Sequence, residues 1–349
     1  MERKLASIKK IDKIEKIPNS DRIELAIIGG WKVVVAKDVG HKIGDLVVYC
    51  EIDSFLPLEP EFEFLRKSSY KKMADGTEGF RLRTIKLRGQ VSQGLILPLQ
   101  EVHNIVFRNS GMNVGLWEGL DVTEMLGITK YDPPVHAELE GKVKGNFPSF
   151  IPKTDEERVQ NLSKEYTNYK YNEDEHEFYI TEKLDGSSAT FYLKDGEFGV
   201  CSRNLDLIET EGNTFWKVAR ELKIEEKLRK LGFDLAIQGE LIGEGIQGNP
   251  YKIKGHTVRF FTAFDIEEYR RLTFSEFTLT LEGLMRLSTV PIVALPGTML
   301  PSTISELIEQ AEGKSILNSQ TEREGWVIRS SDNKISFKVI SNKFLIKNK

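Results

Sequence analysis

In the stretch FYITEKLDGSSATFYL, residues 178–193, a lysine and an aspartate stand two residues apart between two strand-like apolar runs. A lysine amine is a nucleophile only when neutral, so Lys183 would need a site that lowers its pKa by desolvation or by nearby cations. The end of a buried strand offers the first, and a divalent metal the second. Asp185 points the same way as Lys183 if the strand continues, and there it can orient the amine or reach a ribose or a metal. Gly186 allows a tight turn into the next strand. Asp-Gly is also an ordinary hairpin turn. The segment YLKDGEFGV (192–200) contains a second such cluster, Lys194-Asp195-Gly196, which reads as a turn and nothing more. K-x-D-G arises by chance in about one chain in ten of this length, so the motif needs company.

That company lies downstream. CSRN (201–204), IQGELIGEGIQGN (237–249), RFFTAFDIEEY (259–269), REGWVIR (323–329) and ISFKVISNKF (335–344) each set a polar group beside a strand-like run. In order, Lys183-Leu184-Asp185-Gly186, Ser202-Arg203-Asn204, Gly239-Glu240, Phe264-Asp265, Glu324-Gly325 and Lys338 resemble the motifs of the covalent nucleotidyltransferases, the ligases and mRNA capping enzymes. Over nearly all its length the chain is most similar to the ATP-dependent RNA ligases with an OB domain at the N-terminus, the fifth RNA-ligase family. PNSDRIELA, DSFLP, LRGQVSQGL and IPKTDEERVQN share in that resemblance.

The resemblance implies three steps. Lys183 takes AMP from ATP and releases pyrophosphate, the AMP passes to a 5′-phosphate end, and a 3′-hydroxyl then attacks that end and expels AMP. Lys183, Asp185, Glu240, Glu324 and Lys338 form the implied catalytic set. Asp185, Glu240 and Glu324 would hold Mg²⁺ or Mn²⁺, which favour oxygen ligands. Nucleotide binding falls to Glu182 at the adenine, Lys183, Gly186, Arg158 and Arg203 on phosphate or ribose, Glu240, Phe264 stacked on the base, and Lys338 on the α-phosphate. Asp265 would brace the pocket. Other readings stay open: either glutamate alone could be a salt-bridged strand residue, Arg158 a helix-surface arginine, and Phe264 a core aromatic. Related RNA ligases often carry two lysines one residue apart in the last motif. Here Lys338 is followed by Val339 and Ile340, with the next lysine at Lys343. Either one lysine suffices, or Lys343 or another cation compensates. The implied substrate is a nicked duplex whose 3′-hydroxyl strand is RNA, bound through Arg81, Arg83, Lys86 and Arg88 of the OB domain.

These side chains need two kinds of scaffold. Residues 1–131 are β-rich, with short Val, Ile, Leu and aromatic runs separated by Gly, Asp and Pro at spacings that suit a five-strand OB-type barrel. YDPPVH (131–136) is the expected boundary, because two prolines hold the chain extended. Residues 132–349 mix strands with helices, which makes the chain α+β: an OB-type barrel, then a nucleotidyltransferase domain of antiparallel sheets flanked by helices. Helices are expected over DEERVQNLSKEYTNYK and over 213–232, where Asn213 caps the start, Gly232 ends it, and Phe215, Val218, Leu222 and Leu228 share a face. Thr303 with Glu306 predicts a capping box.

Composition bounds the rest. At 349 residues the chain is long enough for two cores. No apolar run approaches the ~20 residues of a membrane helix, and the N-terminus lacks a secretory signal's apolar core. Cys50 and Cys201 stand alone, which excludes a disulfide framework and a cysteine zinc site and suits a reducing compartment. A soluble, cytoplasmic monomer is the simplest expectation. Net charge is −4, yet FRLRTIKLRGQ (80–90) and the tail 333–349 hold four and five cations with no acid. Such runs contact phosphates or merely form a solvated face. A DNA ligase is disfavoured because no OB domain follows Lys338. A GTP-dependent guanylyltransferase remains a chemical alternative, and a non-catalytic OB protein would be free to lose one of the site residues.

Overall fold

The computed structural model describes residues 4–18, 20–73, 76–111, 114–131, 143–171 and 176–347. The chain divides into two compact units, Met1–Val135 with Ile346–Lys349, and His136–Leu345. Most of the expected linker YDPPVH lies outside the described residues.

In the first unit the described strands are β1 (Ala6–Lys10), β2 (Lys13–Lys16), β3 (Ile23–Ile28), β4 (Trp31–Ala36), β5 (Leu46–Cys50), β6 (Ser54–Leu56), β7 (Tyr70–Lys72), β8 (Glu78–Arg81), β9 (Thr84–Leu87), β10 (Gln90–Gln93), β11 (Leu95–Pro98) and β12 (Thr129–Lys130). They are more numerous and shorter than a five-strand reading suggests, because Gly, Asp and Pro interrupt them. Two helices accompany them, α1 (Arg66–Ser69) and α2 (Leu99–Ser110). β5 lies between β1 and β11. Its Val48 and Cys50 enter one apolar core with Ile8, Leu56 and Phe80, while Val47 and Tyr49 enter another with Trp31, Val33 and Ile96. Burial on both faces explains why LVVYC reads as an unbroken apolar run and not as an alternating one.

In the second unit the described strands are β13 (Val143–Asn146), β14 (Glu157–Arg158), β15 (Phe178–Lys183), β16 (Ser187–Lys194), β17 (Glu197–Cys201), β18 (Leu205–Leu207), β19 (Leu235–Gly243), β20 (His256–Asp265), β21 (Arg270–Arg271), β22 (Ile292–Ala294), β23 (Gly325–Ser330) and β24 (Ser336–Ile340). The helices are α3 (Ser163–Tyr171), α4 (Thr214–Glu221), α5 (Ile224–Leu231), α6 (Phe274–Thr278), α7 (Ile304–Ala311) and α8 (Asn342–Lys347), of which the last two residues of α8 belong to the first unit. A seven-stranded sheet runs β13-β18-β17-β16-β19-β20-β21, and a five-stranded sheet runs β14-β24-β23-β15-β22. Phe191, Ile237, Leu241, Val258 and Phe260 of the larger sheet pack on Trp216, Val218, Leu228 and Phe277 of α4, α5 and α6. Phe178, Ile180, Trp326, Ile328 and Phe337 of the smaller sheet pack on Leu307 and Ile308 of α7. Strand alternation therefore turns the other face of each sheet away from these helices.

Helix expectations needed three corrections. The helix expected over 155–170 begins only at Ser163, after β14 and a short 3-10 turn. Arg158 is consequently a buried strand residue and not a helix-surface arginine. The helix expected over 213–232 is two, broken at Lys223, whose φ of 54° ends the first. Asn213 does cap it by accepting from Phe215 and Trp216, and Gly232 ends the second in the left-handed region. At α7 the Thr303 side chain accepts from the Glu306 N–H, but Glu306 reaches back to Ser302. The reciprocal box sits instead at Thr273 and Glu276 of α6.

Candidate active site

Lys183 is the last residue of β15 and lies opposite Gly325, the first residue of β23. That register sets Glu324 beside it, and both Glu324 carboxylate oxygens lie 2.8 Å from the Lys183 ammonium. Gly325 is held at a φ of 152°, where an added Cβ would fall 2.0 Å from the Val339 carbonyl oxygen. Only glycine lets β23 start tightly enough against β24 to bring Glu324 in.

β15 belongs to the five-stranded sheet and β16 to the seven-stranded sheet. Leu184, Asp185 and Gly186 are the crossing between them and not a hairpin. Gly186 is outside the positive-φ residues. Its requirement is space: a Cβ would meet the Leu241 carbonyl oxygen at 2.5 Å and the Glu240 Cγ at 2.8 Å. This close approach seats the crossing on β19, where Glu240 lies opposite Ser188. The Asp185 N–H donates to the Tyr251 hydroxyl at 2.6 Å and fixes the turn.

One ammonium thus faces three carboxylates. Burial, then the Glu324 charge, pushes the Asp185 carboxyl up to about 6. Burial pushes Glu240 up to about 8, with Lys183 opposing and Glu324 and Asp185 adding. Burial pulls Lys183 down, but Glu324 and Glu240 outweigh it, so the ammonium is held above its ordinary range. Several carboxyl groups crowded around one ammonium are the oxygen donor chemistry that suits a hard divalent cation. Among the described residues no three His, Cys, Asp or Glu side chains are gathered into a ready metal cage. Instead Lys183 engages both Glu324 oxygens.

Lys338 on β24 lies opposite Val327 and beside Arg158 of β14 in the parallel register. Phe337 and Val339 enter the helix-covered core, so Lys338 belongs to the opposite face. Its ammonium is 3.1 Å from Asp155, whose other oxygen is 3.4 Å from Arg203 in the β17–β18 turn. Asp155 therefore ties a cation of the smaller sheet to one of the larger. Next to it, half-buried Glu156 pairs with buried Arg329 at 2.6 Å. Arg329 lies over the Phe261 ring at 5.5 Å, and the Arg271 charge also bears on Glu156. Sequence reasoning missed this second polar cluster, although KTDEER and REGWVIR contain three of its members.

Glu182 shares the face of Phe178 and Ile180, opposite to that of Lys183. Its Oε2 accepts from the Ile316 N–H at 2.7 Å, and its Oε1 is buried without a hydrogen bond. Phe264 lies opposite Ala236, four residues along β19 from Glu240, and packs with Ile151, Tyr192 and Cys201. Beside the crossing, Phe261 packs with Tyr251 in the cluster of Leu184, Ile242 and Val290. A bulge where β20 faces Gln238 and Gly239 inserts Phe261 and breaks the alternation, a signal that strand periodicity does not carry. Asp265 accepts from the Glu268 N–H and closes the turn after β20. Lys343, the next lysine after Lys338, is 65% exposed and pairs with Glu312 at 2.9 Å.

In the first unit Arg81 stacks on Tyr131 at 4.2 Å and pairs with Asp53 at 3.6 Å. Arg83, Lys86 and Arg88 are exposed, the last two on the ribbon β9–β10, whose turn holds Arg88 and Gly89 at φ of 48° and 84°. The four cations therefore separate into one anchored and three exposed. No described helix is long and apolar enough to cross a membrane.

Comparison with known proteins agrees with this architecture. Residues 5–99 match an OB-fold domain model and residues 176–347 an RNA ligase model. No curated protein sequence matches the chain. Among solved structures, a glutamate-to-alanine variant of the Naegleria gruberi RNA ligase with AMP and Mn is 39% identical at a TM-score of 0.86, covering 99% of this chain and 100% of that one. The same enzyme with pyrophosphate is 41% identical at a TM-score of 0.86, covering 99% of this chain and 98% of that one. An arginine-to-alanine variant with ATP and Mn is 41% identical at 0.85, covering 98% of both chains. This chain is a ligase and belongs to the RNA ligase family, in the arrangement that sets an OB-fold domain ahead of the ligase domain.

Proposed function

We propose that this chain is an ATP-dependent RNA ligase that carries AMP on Lys183 while joining a 3′-hydroxyl to a 5′-phosphate. The observation that carries the reading is the Lys183 ammonium held 2.8 Å from Glu324 where the chain crosses between sheets. The relatives solved with ATP, AMP, pyrophosphate and Mn support it.

In the first step a proton leaves the Lys183 ammonium, with Glu324 the acceptor in reach. The freed amine attacks the α-phosphorus, forming a P–N bond as the P–O bond to pyrophosphate breaks. A 5′-phosphate oxygen of the nucleic acid then attacks that phosphorus, and the P–N bond breaks as lysine regains a proton. Last, the 3′-hydroxyl attacks the 5′-phosphate and AMP leaves. Lys338 and Arg203, paired through Asp155 here, are assigned to phosphate oxygens, which compete for them with that carboxylate. Arg158, beside Lys338, is assigned to phosphate as well. Phe264 is assigned to the base, in a pocket that Phe261 borders, and Glu182 shapes that pocket through its hold on Ile316.

Asp185, Glu240 and Glu324 would hold a divalent cation such as Mg²⁺ or Mn²⁺. Bound there, it would neutralise phosphate charge and favour the neutral amine. The exposed Arg83, Lys86 and Arg88 are assigned to the phosphates of the 3′-hydroxyl strand, with RNA preferred in a nicked duplex. Arg81 is assigned to holding the base of that ribbon. We also assign the protein to the cytoplasm as a monomer.

The test combines α-labelled ATP or GTP with Mg²⁺ or Mn²⁺, followed by denaturing gels and sealing assays on nicked duplexes with RNA or DNA 3′ ends. Covalent label from ATP and sealing of RNA 3′ ends are expected. Label from GTP alone would move the protein to capping chemistry. An unlabelled protein whose intact mass is also free of adduct would end the proposal.

A further inference from the structure

On the seven-stranded sheet Arg259 of β20 lies directly opposite Glu240 of β19. Its neighbours Val258 and Phe260 both enter the helix-covered core, so Arg259 shares the face of Glu240. Directly opposed residues of an antiparallel pair hold their Cβ atoms about 5 Å apart. Arg259 is half-buried, and its Nε is buried without a hydrogen bond. Among the described residues it makes no ion pair with Glu240 or with any other carboxylate.

Its cationic neighbours differ. Lys183 is engaged by Glu324, Lys338 and Arg203 by Asp155, and Arg329 by Glu156. Arg271 donates to Gln238 and Thr262. The Arg259 Nε is withdrawn from water without an acceptor, and a buried donor of this kind is retained where a ligand supplies the acceptor.

The smaller sheet supplies a second argument. Ile340 shares the face of Lys338 and lies opposite Gly325, which in turn lies opposite Lys183. It is buried and apolar. In the row that runs from Lys183, Gly325 and Ile340 therefore add no cation, and Lys343 pairs with Glu312 at 2.9 Å.

We propose that Arg259 is a further catalytic residue, binding a non-bridging oxygen of the α-phosphate as the adenylyl group passes onto and off Lys183. It does from the seven-stranded sheet what a lysine at position 340 would do from the other. The guanidinium acts through its charge and its N–H donors and forms no covalent bond. This assignment rests on the adenylyl-transfer reading above.

The test is single-turnover lysyl-AMP formation across ATP concentrations in wild type, Arg259→Ala, Arg259→Lys, Ile340→Lys and the Arg259→Ala/Ile340→Lys double variant, each checked for folding by thermal melting. Losing a charge that acts in the transition state should lower the maximal rate about 100-fold, with a smaller change in apparent ATP affinity. Arg259→Lys should fall between. The double variant, or added guanidinium ion on Arg259→Ala, should regain at least about tenfold. An Arg259→Ala rate within about threefold of wild type would overturn the proposal. So would a loss that neither the second substitution nor guanidinium repairs, because that marks a structural role. If Arg259→Ala fails to fold, Arg259→Lys decides: a full wild-type rate overturns the proposal, and an intermediate rate supports it. Wild type without lysyl-AMP would instead defeat the adenylyl-transfer reading itself.

Discussion

Two clusters of lysine, aspartate and glycine lie about one strand length apart in the second unit, and the fold treats them in opposite ways. Lys194-Asp195-Gly196 closes the hairpin β16–β17, with Lys194 opposite Glu197. Asp195 and Gly196 have φ of 50° and 78°, the geometry of a tight two-residue turn. A Cβ on Gly196 would meet nothing, so glycine serves backbone conformation there. Lys194 pairs with the exposed Asp195 and lies over the Phe150 ring at 5.5 Å. At Lys183-Leu184-Asp185-Gly186 the chain instead changes sheets, Gly186 is needed for close packing, and the lysine is surrounded by carboxylates brought from 57 to 141 residues away in sequence. The same residue types meet distant carboxylates only where the backbone carries them between two sheets.

The comparison breaks most sharply at the lysines. Lys183→Ala should abolish covalent AMP, whereas Lys194→Ala should label like wild type. Labelled-ATP gels of both variants check this.

The pH dependence comes next. Because Lys183 is held above its ordinary range, it stays an ammonium at neutral pH, and the neutral fraction rises about tenfold per pH unit below its pKa. The rate of lysyl-AMP formation should therefore climb from acid through neutral pH, as stopped-time assays at saturating ATP would show. A flat profile would mean that lysine deprotonation does not limit the step.

The glycines separate next. Gly186→Ala must push back the Leu241 carbonyl and Glu240, a strain of about 1–3 kcal/mol, and should lower both urea stability and adenylylation. Gly196→Ala should cost about 1–2 kcal/mol for its left-handed backbone and leave the rate unchanged.

The smallest effect is expected at Asp155. Asn in its place removes the anion shared by Lys338 and Arg203, so calorimetry should find pyrophosphate bound a few-fold more tightly. Weaker binding would mean that Asp155 positions the two cations instead of competing for them.

Much of this was legible from local pattern. The apolar run before Lys183 marks a buried strand, and Asn213 and Gly232 mark helix ends, because those signals act over a few residues. The rest depended on long-range geometry. That β15 and β16 belong to different sheets follows from pairings with strands far along the chain. The bulge at Phe261 shifts an aromatic by one position, so an alternating pattern directs attention to Phe264 alone. IPKTDEERVQN has a helical composition, yet Arg158 is drawn into a strand beside Lys338 by a partner 180 residues away. Arg259 carried no local signal at all; it is conspicuous only once Glu240 lies opposite it and, among the described residues, no carboxylate pairs with it.

The central claim is that the sheet crossing makes Lys183 the carrier of AMP. The most direct measurement is mass-spectrometric peptide mapping of the wild-type protein after incubation with ATP and a divalent cation under non-acidic conditions. The account predicts an AMP adduct confined to the peptide containing Lys183, absent from the peptide containing Lys194 and removed by added pyrophosphate. An adduct on another residue would contradict it.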